Sequence, residues 1–486
     1  MVTHPVEAAL LLPGVQTPEH YVPTGAAVMA AAVRRAGISI SWFDAQHHDP
    51  ETQDSLVKNI LTERRPKVIG IGGTTQNRFD SFRWARMAKE LCPDSVVVYG
   101  GPHATFADVD TLAHVPEIDA VVRGEADYSF LEVTQRVLGG GKSFEGIPGV
   151  THRINGQIVQ ETARPRIKDL SSLPWPDYDM IDGSRYLQQM QYSGGIGLNT
   201  LTSRGCPFGC SFCAIGALWR VYTCRRSADV VDEILMLKER YGIVGIKFYD
   251  AIVSLRKEHL ESLCSEIANR APGLMWEAEV RADTVTFESL KMMREAGCYL
   301  ISIGLESTDP VVLKNIGKRV TPELVLQVVD WACRIGLTCK VFLMCGNPGE
   351  TPESARRTLK FRRQNIQRIP LMPFGPAIVL PGTELEKLAL QNGCLPSDWS
   401  WTKPYDSPVN DRLWTERTVP LFTQPGFGMK ELRKSVYEYL KDRGGLPPLG
   451  ASTIWNRLRQ VQSISEAAQL AGKGMGLVWN RVRGTV

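Results

Sequence analysis

Short apolar runs alternate with helix-like segments over most of this chain of 486 residues. Such alternation predicts parallel sheets covered by helices, because two parallel strands need a long crossover connection. The predicted strands of the first part are Ala8–Leu12, Ile38–Phe43, Val68–Ile71, Ser95–Tyr99 and Ile118–Val122. The sequence therefore predicts an α/β fold that opens with a doubly wound parallel-sheet domain over residues 1–140.

A second alternation starts near Gly195 and contains six predicted β/α units over residues 191–395. Its strands are predicted at Leu198–Ser203, Gly245–Tyr249, Trp276–Val280, Tyr299–Gly304, Thr338–Met344 and within Leu371–Val379. Residues 141–190 are predicted to connect the two domains through a β-hairpin around Asn155-Gly156 and a Pro-rich linker. The pattern weakens after residue 395, and residues 396–486 are predicted to be mostly helical.

Three cysteines lie close together at Cys206, Cys210 and Cys213, in the spacing C-x3-C-x2-C. No fourth cysteine follows at a regular spacing, whereas a closed structural zinc site usually has four ligands. Most [4Fe–4S] clusters are held by four cysteines, so a cluster held by three leaves one iron open to an outside ligand. An open iron beside a pocket suits catalysis. The alternatives are three buried cysteines, or a zinc loop completed by a distant ligand.

The segment CPFGCSFC resembles the cluster loop of the radical S-adenosylmethionine (SAM) superfamily. The resemblance implies that Cys206, Cys210 and Cys213 hold a [4Fe–4S] cluster whose open iron is chelated by SAM. An electron from the cluster would then cleave SAM and form a 5′-deoxyadenosyl radical. The resemblance also implies that Phe212 lies beside the adenine, and that the six β/α units form a partial (β/α)6 barrel.

Polar residues follow the predicted barrel strands at the ends where parallel barrels carry their chemistry. Asp250 ends the second strand and Arg281 the third, and Glu306 and Ser307 end the fourth. By the resemblance, these residues bind the amine, carboxylate and ribose hydroxyls of SAM. A guanidinium group suits a carboxylate, so Arg281 is a candidate partner of the SAM carboxylate. The alternative is that each residue caps a helix or forms an ion pair.

The first sheet is predicted to carry glycines and small polar residues outside the carboxyl ends of its strands, where such sheets bind ligands. Together, VVVYGGPHATF and IDAVVRGEADYSFLE resemble the cobalamin-binding domain that precedes many radical SAM barrels. Each glycine taken singly is equally explained by a tight turn. The cobalamin-binding candidates are Thr74, Thr75, Gln76, Gly100, Gly101, His103, Thr105, Gly124 and Glu125.

One departure from cobalamin proteins concerns the lower face of the cobalt. Some of these proteins carry an Asp-x-His-x-x-Gly loop after the first strand, whose histidine binds cobalt. Here residues 13–17 are Pro-Gly-Val-Gln-Thr, and His47 and His48 follow the second strand at a different spacing. We therefore predict that cobalamin is bound without a histidine lower ligand, which favours transfer of methyl as a radical equivalent.

The resemblance implies a cobalamin-dependent radical SAM methyltransferase acting on an unactivated carbon. One SAM would supply the methyl group through cobalamin, and a second would supply the radical. The alternatives are a cyclase or rearrangement enzyme of the same architecture, such as one that oxidatively cyclises a porphyrin ester, and a non-catalytic cobalamin sensor. A methylthiotransferase acting on RNA is disfavoured, because it usually needs further N-terminal cysteines and only Cys92 lies there.

Composition restricts the partners and the location. The net charge of +4 is too small to indicate a nucleic-acid partner, and no apolar stretch is long enough to span a membrane. Scattered cysteines and an iron–sulfur loop favour a reducing cytoplasm. We expect a small-molecule substrate and an external electron donor such as flavodoxin or ferredoxin. Residues Trp455–Val486 are basic, so they form either a solvated helix face or a weak membrane contact that would imply a lipophilic substrate.

Overall fold

A computed structural model of the chain describes residues 5–14, 20–190, 195–404 and 419–443. Residues 1–435 form one compact unit and residues 436–486 form another, of which residues 436–443 are described. Among the described helices, none is both long and apolar enough to cross a bilayer. The basic segment from Trp455 onward, and the question of its membrane contact, lie outside the described residues.

The first sheet has seven strands in the order β2-β1-β3-β4-β5-β6-β7, of which the first five are parallel. This order places β1 between β2 and β3, as in doubly wound sheets that bind ligands outside the carboxyl ends of their strands. Its elements are β1 (Ala8–Leu12), α1 (Thr24–Arg35), β2 (Ile40–Asp44), α2 (Pro50–Arg64), β3 (Val68–Gly72), α3 (Arg78–Leu91), β4 (Val96–Gly100), α4 (Pro102–Phe106), α5 (Asp108–His114), β5 (Ala120–Val122), α6 (Ala126–Leu138), β6 (Val150–Ile154) and β7 (Gln157–Gln160).

Two hydrophobic clusters cover the two faces of this sheet, because successive side chains of a strand point to opposite faces. In β1, Leu11 belongs to one cluster, whereas Leu10 and Leu12 belong to the other. All five residues of β1 are buried. This continuous apolar run is what a strand with both faces covered requires, and it explains why the parallel sheet was predictable.

The hairpin β6–β7 differs from its predicted position. We expected it in the connection between the domains, but β6 pairs antiparallel with β5, so the hairpin extends the first sheet by two strands. The sequence predicts the hairpin turn through Asn155-Gly156, both of which have positive φ. It does not show which strand the hairpin joins. The domain boundaries at residues 140, 190 and 395 stay predictions, and this pairing favours placing the first near residue 160.

The second sheet has the order β16-β15-β14-β13-β12-β9-β8, and all its strands except β8 are parallel. Its two outer strands pair only on their inner sides, which gives the partial barrel expected from six β/α units. The elements of this half are β8 (Gln188–Gln189), β9 (Ile196–Thr200), β10 (Ser203–Arg204), α7 (Ala214–Leu218), β11 (Thr223–Cys224), α8 (Ser227–Tyr241), β12 (Gly245–Phe248), α9 (Lys257–Arg270), β13 (Met275–Val280), α10 (Phe287–Glu295), β14 (Cys298–Glu306), α11 (Pro310–Asn315), α12 (Pro322–Arg334), β15 (Thr338–Cys345), α13 (Pro352–Asn365), β16 (Phe374–Pro376), α14 (Glu384–Gln391) and α15 (Met429–Asp442).

The barrel strands have one face against helices and one face toward the barrel interior. In β15, every second residue is buried, and the residues between them are partly exposed. The sixth strand, β16, contains only Phe374–Pro376 and lies within the predicted range Leu371–Val379. Prolines at 370, 373 and 376 remove backbone donors, which restricts a strand to a short edge position.

Candidate active site at the ends of the two sheets

The cysteine loop follows the short strand β10 and precedes α7. All three of its cysteines are free; Cys206 is buried, and Cys210 and Cys213 are partly exposed. Gly205 has φ +95°, and a Cβ there would collide with the Val221 carbonyl, so the loop needs glycine at this position. Burial raises the pKa of the Cys206 and Cys210 thiols, and charge on the neighbouring thiols raises it further.

The three thiols fit the predicted cluster loop. All of them are free and lie on one loop, and an iron–sulfur cube takes one thiolate on each of three separate irons. Among the residues that the structure describes, no group of three His, Cys, Asp or Glu side chains forms a site for a single metal ion.

Backbone hydrogen bonds tie the cysteine loop to the barrel. The Ser211 N–H donates to the Ile316 carbonyl over 3.0 Å, and the Leu385 N–H donates to the Ser211 carbonyl over 2.9 Å. Phe212, the predicted adenine neighbour, is partly buried against an apolar cluster that includes Met344 and Leu385. The loop is thus held between the end of α11 and the start of α14, with Phe212 partly buried.

Arg281 lies beside the cysteine loop at the end of β13. Its guanidinium carbon is 3.6 Å from the centroid of the Phe208 ring, which belongs to that loop. Its Nε and Nη2 donate to the two carboxylate oxygens of Asp283 over 2.9 and 2.8 Å. Burial raises the pKa of Asp283, but the hydrogen bonds and charge of Arg281 lower it overall. Asp283 therefore holds Arg281 against the loop.

Glu306 ends β14 in the left-handed conformation, with φ +69°. Such a backbone costs about 1–3 kcal/mol in a residue other than glycine and is found where the surroundings enforce it, often at functional sites. Its carboxylate accepts a 2.6 Å hydrogen bond from Lys318 Nζ, and both side chains are more than nine-tenths buried. Gly304 leaves room for this pair, because a Cβ at Gly304 would collide with both charged groups.

Asp250 and Ser307 are occupied by contacts within the barrel. Asp250 is buried, and its carboxylate accepts hydrogen bonds from the Thr202 N–H and hydroxyl and from the Ser203 hydroxyl. Burial raises the pKa of Asp250. The Ser307 hydroxyl accepts from the Asp309 N–H, and Asp309 caps α11. The carboxylate of Asp250 thus secures the segment that leads into the cysteine loop. Its contact with SAM stays a prediction.

The glycines of the first sheet form a cradle at the carboxyl ends of β3, β4 and β5. Gly101 has φ +108°, and a Cβ there would collide with the backbone of Gly73. The loops after β3 and β4 can therefore approach each other this closely only with glycine at position 101. At Gly124 nothing lies within 4 Å of a would-be Cβ, and at Gly100 only the Val122 carbonyl does, at 3.8 Å. This open, side-chain-free edge fits a large planar ligand such as cobalamin.

The predicted polar residues of the cradle divide into two groups. Thr105 is used internally, since its hydroxyl donates to the Gly101 carbonyl and accepts from the Gly124 N–H. His103 is fully buried, with Nδ1 3.1 Å from the Thr75 hydroxyl, and burial lowers its pKa well below the usual value. Thr74 and Gln76 are partly exposed at the edge. Of the nine predicted positions, Gly100 and Gly124 have open space beside them, whereas Gly101 packs against Gly73 and the Thr74 hydroxyl also donates to Asn77 over 3.2 Å.

Trp401 is a residue of this edge that the sequence did not reveal. It comes from beyond the barrel, and its ring lies 5.7 Å from the His103 ring. Its carbonyl accepts from Arg78 Nε over 2.6 Å, and its indole N–H donates to Glu386 over 2.6 Å. No local pattern signals such long-range contacts. A single buried tryptophan in a weakly patterned segment was the one available hint.

Glu125, at the start of α6, lies in an ion cluster with Arg204 of β10, which pairs with β11 in a separate two-stranded sheet. The carboxylate of Glu125 accepts hydrogen bonds from Arg204 Nη1 over 3.1 Å and from the Ile167 N–H over 2.9 Å, and it forms an ion pair with Arg166 at 2.9 Å. Arg204 also forms two hydrogen bonds with Asp127, at 2.8 and 3.2 Å. Glu125 follows the cradle glycine Gly124, and Arg204 precedes the cysteine loop. The Glu125 carboxylate connects the cradle to the loop. The predicted contact of Glu125 with cobalamin stays a prediction.

The comparisons with known proteins agree with this geometry. The B12 binding domain matches residues 14–134, and the Radical SAM superfamily matches residues 200–362. An uncharacterized methyltransferase of Pyrococcus horikoshii, PH0819, is 32% identical over 385 residues, which cover 77% of this chain and 79% of the relative. The chain belongs to the cobalamin-binding radical SAM methyltransferase family. Its cofactors are therefore a [4Fe–4S] cluster, SAM and cobalamin, as the cysteine loop and the glycine pattern predicted.

Two further proteins are similar to this chain. The anaerobic magnesium-protoporphyrin IX monomethyl ester cyclase of Rubrivivax gelatinosus is 26% identical over 356 residues, which cover 72% of this chain and 63% of the cyclase. The methyltransferase TsrM of Kitasatospora setae, solved with cobalamin and a [4Fe–4S] cluster, shares the fold with a TM-score of 0.69 at 19% identity, over 92% of this chain and 90% of TsrM. The α/β fold with an N-terminal doubly wound sheet and a partial barrel is thus confirmed.

Proposed function

We propose that this methyltransferase methylates an unactivated carbon of a small molecule by a 5′-deoxyadenosyl-radical mechanism. The supporting observation is the buried ion cluster of Arg204 with Glu125 and Asp127, whose side chains are all less than one-tenth exposed. This cluster connects the end of the glycine cradle to the start of the cysteine loop. The cradle and the loop can therefore serve one substrate in a shared space from which water is excluded.

The cysteine loop and the barrel ends hold the radical-forming half of the site. Cys206, Cys210 and Cys213 bind the cluster, and Phe212 lies beside the adenine of SAM. Arg281 attracts the SAM carboxylate from its position against Phe208. When bound, the cluster and SAM supply the 5′-deoxyadenosyl radical, and cobalamin supplies the methyl group.

Three predicted site residues are assigned positioning roles. Asp250 holds the segment before the cysteine loop, Ser307 holds the turn after β14, and Glu125 connects the loop to the cradle. These roles differ from the direct SAM and cobalamin contacts that the sequence suggested. Each follows from hydrogen bonds that already use the group in question.

The open edge of the first sheet is the cobalamin site of this proposal. Gly100, Gly101 and Gly124 let the corrin approach the backbone, and Thr74 and Gln76 lie where they can bond its amides. Thr75, His103 and Thr105 support the loops from within. Cobalamin would be bound here without a histidine lower ligand, as the sequence predicts; residues 15–19 of the loop after β1 lie outside the described residues.

Product analysis of SAM tests the proposed reaction. After anaerobic cluster reconstitution with cobalamin and a strong reductant, we expect both S-adenosylhomocysteine and 5′-deoxyadenosine. Omitting cobalamin should remove only S-adenosylhomocysteine, because the methyl group travels through cobalt whereas SAM cleavage needs the cluster alone. Liquid chromatography with mass spectrometry measures both products. Formation of 5′-deoxyadenosine without S-adenosylhomocysteine in the complete mixture would contradict methyl transfer.

A cyclase or rearrangement enzyme is the second candidate function, because the Rubrivivax cyclase shares 72% of this chain at 26% identity. Such a reaction consumes SAM at the cluster without methyl transfer. The SAM product ratio separates the two functions directly. A cobalamin sensor without catalysis would form neither product.

Lys318 is predicted to position Glu306 for SAM. Replacing it with methionine leaves the buried Glu306 carboxylate without its 2.6 Å partner, so this strained side chain moves. We expect the dissociation constant of SAM to rise on the order of tenfold, which corresponds to one charged hydrogen bond. Equilibrium dialysis with the reconstituted enzyme measures this constant. Lys318→Arg should restore part of the affinity, and Lys314→Met, on the exposed side of α11, should leave it unchanged.

The remaining partner assignments follow from the family chemistry. SAM cleavage consumes an electron, so an external donor such as flavodoxin or ferredoxin is part of the proposal, and a reducing cytoplasm suits the cluster. Weak membrane contact through Trp455–Val486, with a lipophilic substrate, is the less favoured option. Unchanged liposome binding after deletion of these residues would exclude it.

A further inference from the structure

Glu279 faces the interior of the barrel. It belongs to β13, in which Trp276, Ala278 and Val280 are buried, and Trp276 donates its indole N–H to the Ala296 carbonyl at the end of α10. These three residues therefore face the helices. Because side chains alternate along a strand, Glu279 points to the opposite, concave face of the sheet.

The side chain of Glu279 is accessible to solvent, although other groups of the protein surround it. It belongs to the exposed class of residues, while burial among neighbouring groups raises the pKa of its carboxyl. A carboxylate is both accessible to solvent and surrounded by protein when it lines a cavity instead of lying on the outer surface. Within residues 5–14, 20–190, 195–404 and 419–443, no hydrogen bond or ion pair of this carboxylate is found.

Lys340 lies in the same row of the sheet. Glu279 is paired with Ser302 on β14, and Ser302 is paired with Lys340 on β15, so the three side chains point to the same face. Neighbouring strands are about 4.8 Å apart, which places the backbones of Glu279 and Lys340 roughly 10 Å apart. The Lys340 ammonium lies 5.0 Å from the Phe342 ring, and no carboxylate of the described chain reaches it within ion-pair distance.

Lys247 and Glu277 form another charged pair, and both of these groups have polar partners. Lys247 lies 3.5 Å from Glu277 and donates to the Tyr21 hydroxyl over 2.8 Å. Glu277 accepts a further hydrogen bond from the Tyr299 hydroxyl. An enclosed charge without a partner costs free energy, which is why these groups are paired. Within the described residues, in contrast, the charged groups of Glu279 and Lys340 have no ion-pair partner and can therefore bind a ligand.

This row lies next to the SAM half of the site. Glu279 is two residues before Arg281 on the same strand. The charges of Glu306 and Lys318 act on the Glu279 carboxyl, as do those of Lys247 and Lys340. A small molecule held between Glu279 and Lys340 is therefore close to the end of the barrel at which the radical would form.

We propose that Glu279 and Lys340 form a subsite for a zwitterionic substrate, in which Lys340 binds a carboxylate or phosphate and Glu279 binds an amine. This inference rests on the proposed function and adds the substrate class to it. One cation and one anion in a row match a ligand that carries both charges, and each forms a charge-assisted hydrogen bond. A wholly apolar substrate would leave both groups desolvated and unpaired, which is costly.

Matched small-molecule probes test the subsite in the reconstituted enzyme with SAM bound. The panel contains L-tryptophan, tryptamine and indole-3-propionate, the corresponding phenylalanine set, O-phosphoethanolamine as the phosphate zwitterion, and squalene as a neutral compound. Equilibrium dialysis measures retention. We expect zwitterions to be retained best. Glu279→Gln should remove the preference for compounds with an amine, and Lys340→Met the preference for those with an acid, each on the order of tenfold.

The controls separate this inference from the proposed function. A Lys257→Met/Glu261→Gln variant removes an exposed ion pair on α9 and should retain the probes as the unaltered enzyme does. Best retention of squalene, equal retention of charged and neutral probes, or unchanged preferences in both variants would overturn the subsite. An equal loss of SAM affinity in both variants would assign the charges to SAM and also overturn it. Failure of the proposed function shows separately, as absence of S-adenosylhomocysteine from the unaltered enzyme.

Discussion

Replacing any one of Cys206, Cys210 and Cys213 with alanine is expected to abolish 5′-deoxyadenosine formation. With two thiolates, the loop can no longer hold a cube with one thiolate on each of three irons. Iron and sulfide content, the absorption of the reconstituted protein and 5′-deoxyadenosine formation measure the effect. The loss should be at least a thousandfold, because SAM cleavage needs the cluster and each variant removes one of the three thiolates that hold it.

Cys333→Ala is the matched control for these variants. Cys333 is exposed on α12, outside the cysteine loop, so its removal should leave the cluster and the SAM products unchanged. A full cluster with normal 5′-deoxyadenosine formation in any of the three loop variants would contradict the assignment of that cysteine.

Arg204→Met is expected to destabilise the protein by about 3–5 kcal/mol, which is typical when one partner of a buried ion pair is removed. The substitution leaves Asp127 buried without its bidentate partner, and it leaves Glu125 with the Arg166 ion pair and the hydrogen bond from the Ile167 N–H. Chemical denaturation of the anaerobic holoprotein measures the change. We also expect weaker retention of both cobalamin and cluster, because Arg204 connects the cradle to the cysteine loop.

Arg270→Met is the control for Arg204→Met. Arg270 forms exposed ion pairs with Asp232 and Glu266, and such surface pairs contribute about 0–1 kcal/mol. An Arg204 variant as stable as the Arg270 variant, with both cofactors retained, would show that the ion cluster does not hold the two halves together.

The features that were predictable from the sequence are local ones. The cysteine spacing lies in one short loop, and the strands carry their own period or continuous apolar runs, as β1 and β15 show. The glycines Gly100, Gly101 and Gly124 were identified because a run of strand residues ends directly before them. For these elements, a few neighbouring residues determine both the type of side chain and its position in the fold.

The features that were missed depend on contacts between distant parts of the chain. Lys318 contacts Glu306 because α11, which lies between them in the sequence, reverses the direction of the chain. Trp401 contacts His103 although 298 positions, which include the whole barrel, separate the two residues in the sequence. The ion pair of Arg204 with Glu125 joins two domains in the same way. A pattern of period 2 or 3.6 reports which face of an element is buried, but not which charge it meets.

Asp250 and Glu125 show a related limit. Their positions at strand ends were predicted, and strand ends are where ligands bind. The same ends also need internal hydrogen bonds to fix the loops, and both carboxylates are used for that purpose. The sequence cannot separate a residue that touches a ligand from one that holds the loop beside it, because both occupy the same register position.

Magnetic coupling between the two metal centres tests the central claim, that cradle and cysteine loop serve one cavity. Both the reduced [4Fe–4S] cluster and the Co(II) state of cobalamin are paramagnetic, so pulsed electron paramagnetic resonance of the doubly loaded protein detects their dipolar interaction. The ion cluster around Arg204 predicts a clear coupling in the unaltered protein and its weakening in Arg204→Met. Two fully loaded centres without detectable coupling would contradict the shared cavity.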